Sequence, residues 1–294
     1  MDIYSINNDR LQVVVSPCGA EMRSIYDLRN RTEFLWQGDA RWWADRSPLL
    51  FPIIGRLRNG VYSHDGKPYS MESPHGFMKS QIFQPVSVNA DSICLQATST
   101  PETLTQYPFA FRFSVEYKLV GSALVFAFQI HNEQDRPMPF SLGTHPGFNV
   151  PLANGEKFEE YSLVFEREEN PHRVELDGVL LAGKTSPFAL QSNRMLPLRH
   201  NLFDIEAIIL GGIQKKTVSL VGTDGIARWS MYFDDFDYLT LWQPAQTEAP
   251  FVCLECWNGL PDPADANTNA LDQKPGNRTL APHETAGFSL KMCF

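Results

Sequence analysis

The chain has 294 residues, 43% of them hydrophobic and 12% aromatic, and carries a formal net charge of -9. That apolar content can build a substantial core, while the acidic balance argues against a nucleic-acid partner and an anionic membrane face. No apolar run approaches the ~20 residues of a membrane-spanning helix. The start, MDIYSINNDR, lacks a basic region followed by an apolar one, and five scattered cysteines form no disulfide framework, so a cytoplasmic protein is expected.

Read in chain order, the dominant signal is the β-strand. LQVVV (11–15) comes first. FPIIGRLRNG (51–60) then places Arg56 and Arg58 after an apolar run and beside two glycines. Arginine offers a fixed fork of donors to oxygens, although a surface hairpin with exposed charges has the same pattern. SPHGF (73–77) sets His75 between proline and glycine. IFQPVSV (82–88) and SICLQAT (92–98) read as strands.

FRFSVEYKL (111–119) alternates, with Phe111, Phe113, Val115, Tyr117 and Leu119 on one face and Arg112, Ser114, Glu116 and Lys118 on the other. It is expected as a half-buried antiparallel strand, turning at VGS into ALVFAFQIH (123–131) as a hairpin.

SLGTHPGFNVP (141–151) holds His145 in a stretch with almost no other ionisable group. The residue before a proline is pushed toward extended geometry, so His145 is expected near a strand end. Ser141, Gly143 and His145 share a face whose small residues leave room for a ligand. A buried structural histidine is the alternative.

YSLVFE, HRVEL, KTVSLV, RWSMYF and YLTLW follow as strands, and FDDFDY (233–238) as a solvated turn without calcium-loop spacing. In FVCLECW (251–257), Val252, Leu254 and Cys256 take one face and Phe251, Cys253, Glu255 and Trp257 the other. The two cysteines therefore point apart and make no metal or redox pair. Glu255, flanked by apolar residues and a tryptophan, is partly desolvated and becomes a better base; pairing with an arginine on a solvated face is the alternative. Residues 258–279 form a long polar loop, read as a lid, a decorated rim or disorder, before the last strand, GFSLKM.

Numerous short strands, with 21 prolines and 19 glycines between them, indicate a sandwich or barrel. No shift in composition marks a linker, so residues 1–294 read as one domain. Phosphate-loop, dinucleotide and nucleophile-elbow motifs are absent. Trp42, Trp43, Trp242, Trp257 and Phe148, together with carboxylates, arginines and histidines, make up the set a sugar site needs.

SPLLFPIIGRLRNG, PHGF, SLGTHPGFNVP and PFVCLECWNG, in that order, resemble the aldose 1-epimerase (galactose mutarotase) superfamily, and most of all its LacX-like branch. The likeness runs from SPCGAEM (16–22) to the C-terminal strand. It implies an all-β fold, a large antiparallel β-sandwich of the galactose mutarotase type, and interconversion of the anomers of a hexose without metal or cofactor. By the same resemblance His145 is the acid that protonates the ring oxygen and Glu255 the base that takes the anomeric hydroxyl proton. Arg56 and His75 hold hydroxyls, Asp204 in NLFDIEAI binds a further one, and Trp257 completes the sugar-binding set. The alternatives are a hexose-6-phosphate 1-epimerase using Arg58 and Lys79, and a sugar-binding or regulatory protein without turnover. A glycosidase pairing Glu255 with Asp204 or Asp234 is disfavoured, because a histidine stands where its second carboxyl is needed.

Overall fold

The segment at 111–119 pairs as its alternation requires. Phe111–Val120 and Ala123–Asn132 form an antiparallel hairpin in register from Phe111↔Asn132 to Val120↔Ala123, leaving Gly121 and Ser122 as the turn. All five residues of its apolar face are buried. The structure, a computed structural model, describes residues 3–265 and 267–294; Met1 and Asp2 of the N-terminal stretch and Ala266 of the long loop lie outside the described residues.

The hairpin belongs to a nine-stranded antiparallel sheet. Its spatial order is Met195–Pro197, Ser162–Phe165, Thr217–Val221, Ala227–Tyr232, Thr285–Cys293, Ala123–Asn132, Phe111–Val120, Ser92–Thr98 and Gln84–Val88. A second, eight-stranded sheet runs Leu180–Pro187, His172–Asp177, Ile208–Gly211, Tyr238–Trp242, Phe251–Asn258, Leu142–Thr144 and Leu49–Leu50, with Gly147–Asn149 also paired to Phe251–Asn258. Tyr4–Asn7, Leu11–Val15, Met22–Asp27 and Thr32–Glu33 make a smaller sheet. Antiparallel pairing throughout these sheets follows from short strands joined by tight turns.

One apolar core joins the sheets. Phe113, Val115 and Phe128 of the larger sheet lie in the same cluster as Leu239, Leu241, Val252, Leu254 and Cys256, and Cys256 Sγ lies 3.4 Å from Met231 Sδ. The alternation read in 251–257 therefore holds: Val252, Leu254 and Cys256 face this core, and Phe251, Cys253 and Trp257 pack in separate clusters. Glu255 is left on the face away from the main core, where the cavity lies.

Some elements escaped the alternation. Ile208–Gly211 is buried at all four positions, so a period of two is invisible there. Leu180–Pro187 is an edge strand with mixed exposure. Among the described residues one α-helix occurs, Pro101–Gln106, with a reciprocal capping box between Thr100 and Thr103. No described helix is long and apolar enough to cross a membrane. The 258–279 segment is a decorated rim. It includes a 3-10 turn, Leu271–Gln273, begins a strand, Arg278–Leu280, and buries Leu260, Asp262 and Lys274. FDDFDY is a turn in which Asp235 accepts from the Ser289 amide and Asp237 pairs with Arg278.

Candidate functional site

Strand register brings the two central residues together. Phe251–Asn258 pairs with Leu142–Thr144 through Gly143↔Trp257 and with Gly147–Asn149 through Gly147↔Cys253. Continuing either register across the gap sets His145 opposite Glu255. The ladder is interrupted at that point, where Pro146 has no amide to donate. Pro146 still accepts from the Leu254 amide at 3.2 Å, and the His145 amide donates to Pro48 at 3.1 Å. The main chain at His145 is thus held on both sides, with the imidazole Nε2 3.3 Å from Glu255 Oε2.

The pair is almost dry. Glu255 is 1% exposed and His145 8%. Burial pushes the Glu255 carboxyl well above the usual carboxylate range and the His145 imidazole well below the usual histidine range. Trp257 Nε1–H donates to Glu255 Oε2 at 3.1 Å, which opposes the rise in part. His145 Nδ1 is buried without a hydrogen-bond partner.

Aromatic rings set the imidazole's orientation. Trp43 stacks on it at 4.9 Å between centroids and 30°, and Trp242 meets it edge-on at 5.6 Å and 74°. Trp36 Nε1–H donates to the Trp43 carbonyl at 2.8 Å, anchoring that wall. The two small residues of the motif have packing reasons. A Cβ on Gly143 would lie 2.8 Å from Ile54, 2.9 Å from Trp257 and 3.1 Å from Leu50, and one on Gly147 would lie 3.1 Å from both Trp36 and Trp43.

His75 stands across from His145, with ring centroids 5.5 Å apart. Its Nδ1 accepts from the Gly55 amide at 3.2 Å, so its Nε2 carries the proton. Its own amide donates to the Gly55 carbonyl at 2.8 Å. Burial, with Lys79 and Arg56 nearby, holds its pKa down at about 3, so it is a neutral donor. Its φ of 65° is sparsely populated for a residue with a side chain, a strain the reciprocal bonds to Gly55 sustain.

These groups line one cavity of about 330 Å³, within the range of small-molecule sites. Arg56, His75, His145, Glu255 and Trp257 all contribute to its wall. Asp204 does not. It is exposed at the end of the 3-10 turn His200–Phe203, and Glu206, two residues on, reaches the cavity instead. The reason is local: residues 204–206 form a bend ahead of Ile208–Gly211, and strand alternation does not extend into it. Burial raises the Glu206 carboxyl above its usual range. Trp43 and Trp242 also line the cavity, at places their aromatic character alone did not reveal.

The two other candidate cations differ. Arg58 is absent from the wall, while Lys79 lines it but is paired with Asp45 at 3.4 Å. Asp234 lies outside the cavity. Among the described residues no group of three His, Cys, Asp or Glu side chains is placed to hold a metal.

Residues 2–269 match the model of a family described as aldose 1-epimerase. Protein LacX of Lactococcus lactis subsp. lactis, chromosomal form, is 33% identical over 289 residues, spanning 96% of this chain and 95% of its own. A galactose mutarotase related enzyme from Lactobacillus acidophilus superposes with a TM-score of 0.93 at 30% identity, covering 99% of this chain and 97% of that one. A galactose mutarotase-like protein from Lactobacillus casei superposes with a TM-score of 0.92, again at 30% identity, covering 99% of each chain.

Proposed function

Because the chain belongs to the aldose 1-epimerase family, we propose that it interconverts the α and β anomers of a free hexose by acid–base opening and reclosure of the ring. The observation that carries this reading is the buried contact of 3.3 Å between His145 Nε2 and Glu255 Oε2 in the wall of a sugar-sized cavity.

Ring opening needs a base on the C1 hydroxyl and an acid on the ring oxygen, two oxygens bonded to the same carbon. Two adjacent groups that share one proton suit that demand. Glu255 takes the hydroxyl proton while His145 gives its proton to the ring oxygen. The C1–O bond breaks and the pair passes from carboxylate–imidazolium to carboxylic acid–imidazole. The aldehyde turns about C1–C2, and reclosure returns both protons and restores the pair. A dry wall favours the neutral form of the pair, so the reactive carboxylate–imidazolium form is reached by passing the shared proton from Glu255 to His145 across their 3.3 Å contact. His75 Nε2–H and Arg56 supply donors to hydroxyls, Glu206 an acceptor, and Trp257 a flat apolar face. Each positioned acid or base is worth about 10²–10⁴-fold.

A free sugar fits better than a phosphorylated one. A dianionic phosphate wants several uncompensated cations, whereas Lys79 is paired with Asp45, Glu206 adds negative charge, and Arg58 is not in the wall.

The test is saturation-transfer NMR of anomer exchange with D-glucose, D-galactose, D-xylose and D-glucose 6-phosphate. Acceleration with a free aldose is expected. Acceleration with the phosphate alone would overturn the substrate reading, and binding of sugars without acceleration would make the protein a carrier or sensor.

A further inference from the structure

The least ordinary polar group outside the catalytic wall is an ion pair in the 258–279 rim. Lys274 and Asp262 are 6% and 7% exposed, and Lys274 Nζ donates to Asp262 Oδ1 at 3.0 Å. Lysine and aspartate are almost never this buried unless paired, and such a pair often adds little net stability over apolar residues of similar volume. What it holds is therefore the better question.

Asp262 is a junction between three segments. Its other carboxylate oxygen accepts from the Arg58 amide at 2.9 Å, and its own amide donates to the Arg56 carbonyl at 3.0 Å. Its carbonyl accepts from the Leu181 amide at 2.9 Å, and the Ala264 amide donates back to Leu181 at 2.9 Å. Leu181 belongs to the hairpin whose Leu176 and Val179 line the cavity. One residue earlier, Pro261 also lines the cavity and packs so tightly on Gly55 that a Cβ there would collide with it. Gly55 is the residue that exchanges two hydrogen bonds with His75.

The Arg56 side chain, by contrast, is exposed and makes no ion pair among the described residues. Its placement at the cavity depends on its backbone: Asp262 holds the Arg56 carbonyl through its amide and, two residues on, the Arg58 amide through its carboxylate.

We propose that Asp262, neutralised by Lys274, is a positioning residue that holds the Arg56 guanidinium and the Gly55–His75 unit against the sugar; this rests on the sugar-epimerase reading above. Among the described residues Asp262 makes no hydrogen bond or ion pair with His145 or Glu255, so its effect is separate from the proton transfers. Loss of the clamp weakens substrate binding and leaves the chemical step nearly intact.

Removing Asp262 alone would strand a buried ammonium and risks the fold, so the test uses Asp262→Ala with Lys274→Met, which removes both charges together. In anomer exchange of D-glucose and D-galactose, KM is expected to rise at least ~10-fold, the size of one lost charge-assisted hydrogen bond, with kcat within ~3-fold of wild type. Adding Arg56→Ala to the double variant should raise KM little further, because both changes remove the same contact. Lys274→Arg should retain the wild-type KM. Unchanged KM in the double variant, or a full additive loss on adding Arg56→Ala, would overturn the proposal. A wild type that exchanges no anomers would sink the epimerase reading instead. Hydrogen exchange at the Arg58 amide, which donates to the Asp262 carboxylate, then still reports on the clamp, faster exchange in the double variant being expected and unchanged protection overturning it.

Discussion

Glu255 and His145 titrate as one unit, since each is buried against the other and their protons are not independent. In the proposed mechanism the pair holds a single proton. Burial lowers the affinity of the imidazole for a second proton, which moves the acidic limb of the rate profile below the ordinary histidine range. Burial also resists loss of the last proton from the carboxyl, which moves the alkaline limb above the ordinary carboxylate range. The anomer-exchange rate is therefore expected to hold level between these two shifted limbs, and an acidic limb at the ordinary histidine position would contradict the shared proton. Glu255→Gln and His145→Asn should each keep the fold and lose at least ~10²-fold in kcat. Sugar affinity, read by titration calorimetry, should stay near wild type in Glu255→Gln. Both residues stood out as candidates from their neighbours, a proline beside the histidine and apolar side chains beside the glutamate, while their roles come from the family resemblance. Asp204 and Glu206 were not distinguishable, because two carboxylates in one bend carry no periodic signal.

The strand Phe251–Asn258 is buried at every position, an element with core on one face and the site on the other. Its placement depends on the small residues of its neighbour. Gly143→Ala would press a methyl against Ile54, Trp257 and Leu50, and the indole has little room to yield. Overpacking of this kind typically costs about 1–3 kcal/mol. Urea denaturation should show that loss, and the Trp257 indole N–H resonance should shift as its bond to Glu255 lengthens. An unchanged midpoint and resonance would mean that the packing relaxes freely. The alternation of 251–257 announced which face each side chain would take. It was silent on Ile208–Gly211, whose two faces are equally apolar, and on the polar 258–279 rim, which buries an ion pair inside a sequence that reads as solvated.

The main core draws on residues from Ile6 to Met292 and crosses all three of the larger sheets. A chain whose first and last strands share one cluster is expected to unfold as a unit. Tryptophan fluorescence and far-UV circular dichroism should trace a single coincident urea transition, whereas two separated transitions would divide the N-terminal sheet from the rest. The β character, the hairpin at 111–132 and the apolar and site faces of 251–257 were readable in the chain, because side-chain alternation acts within a few residues. The walls of the cavity were decided only on folding. Trp43 reaches His145 across a hundred residues, Lys79 is neutralised by Asp45 from another loop, and Asp262 grips Arg56 from two hundred residues away. Such contacts depend on the register of distant strands and the closure of long loops, and neither leaves a local period in the sequence.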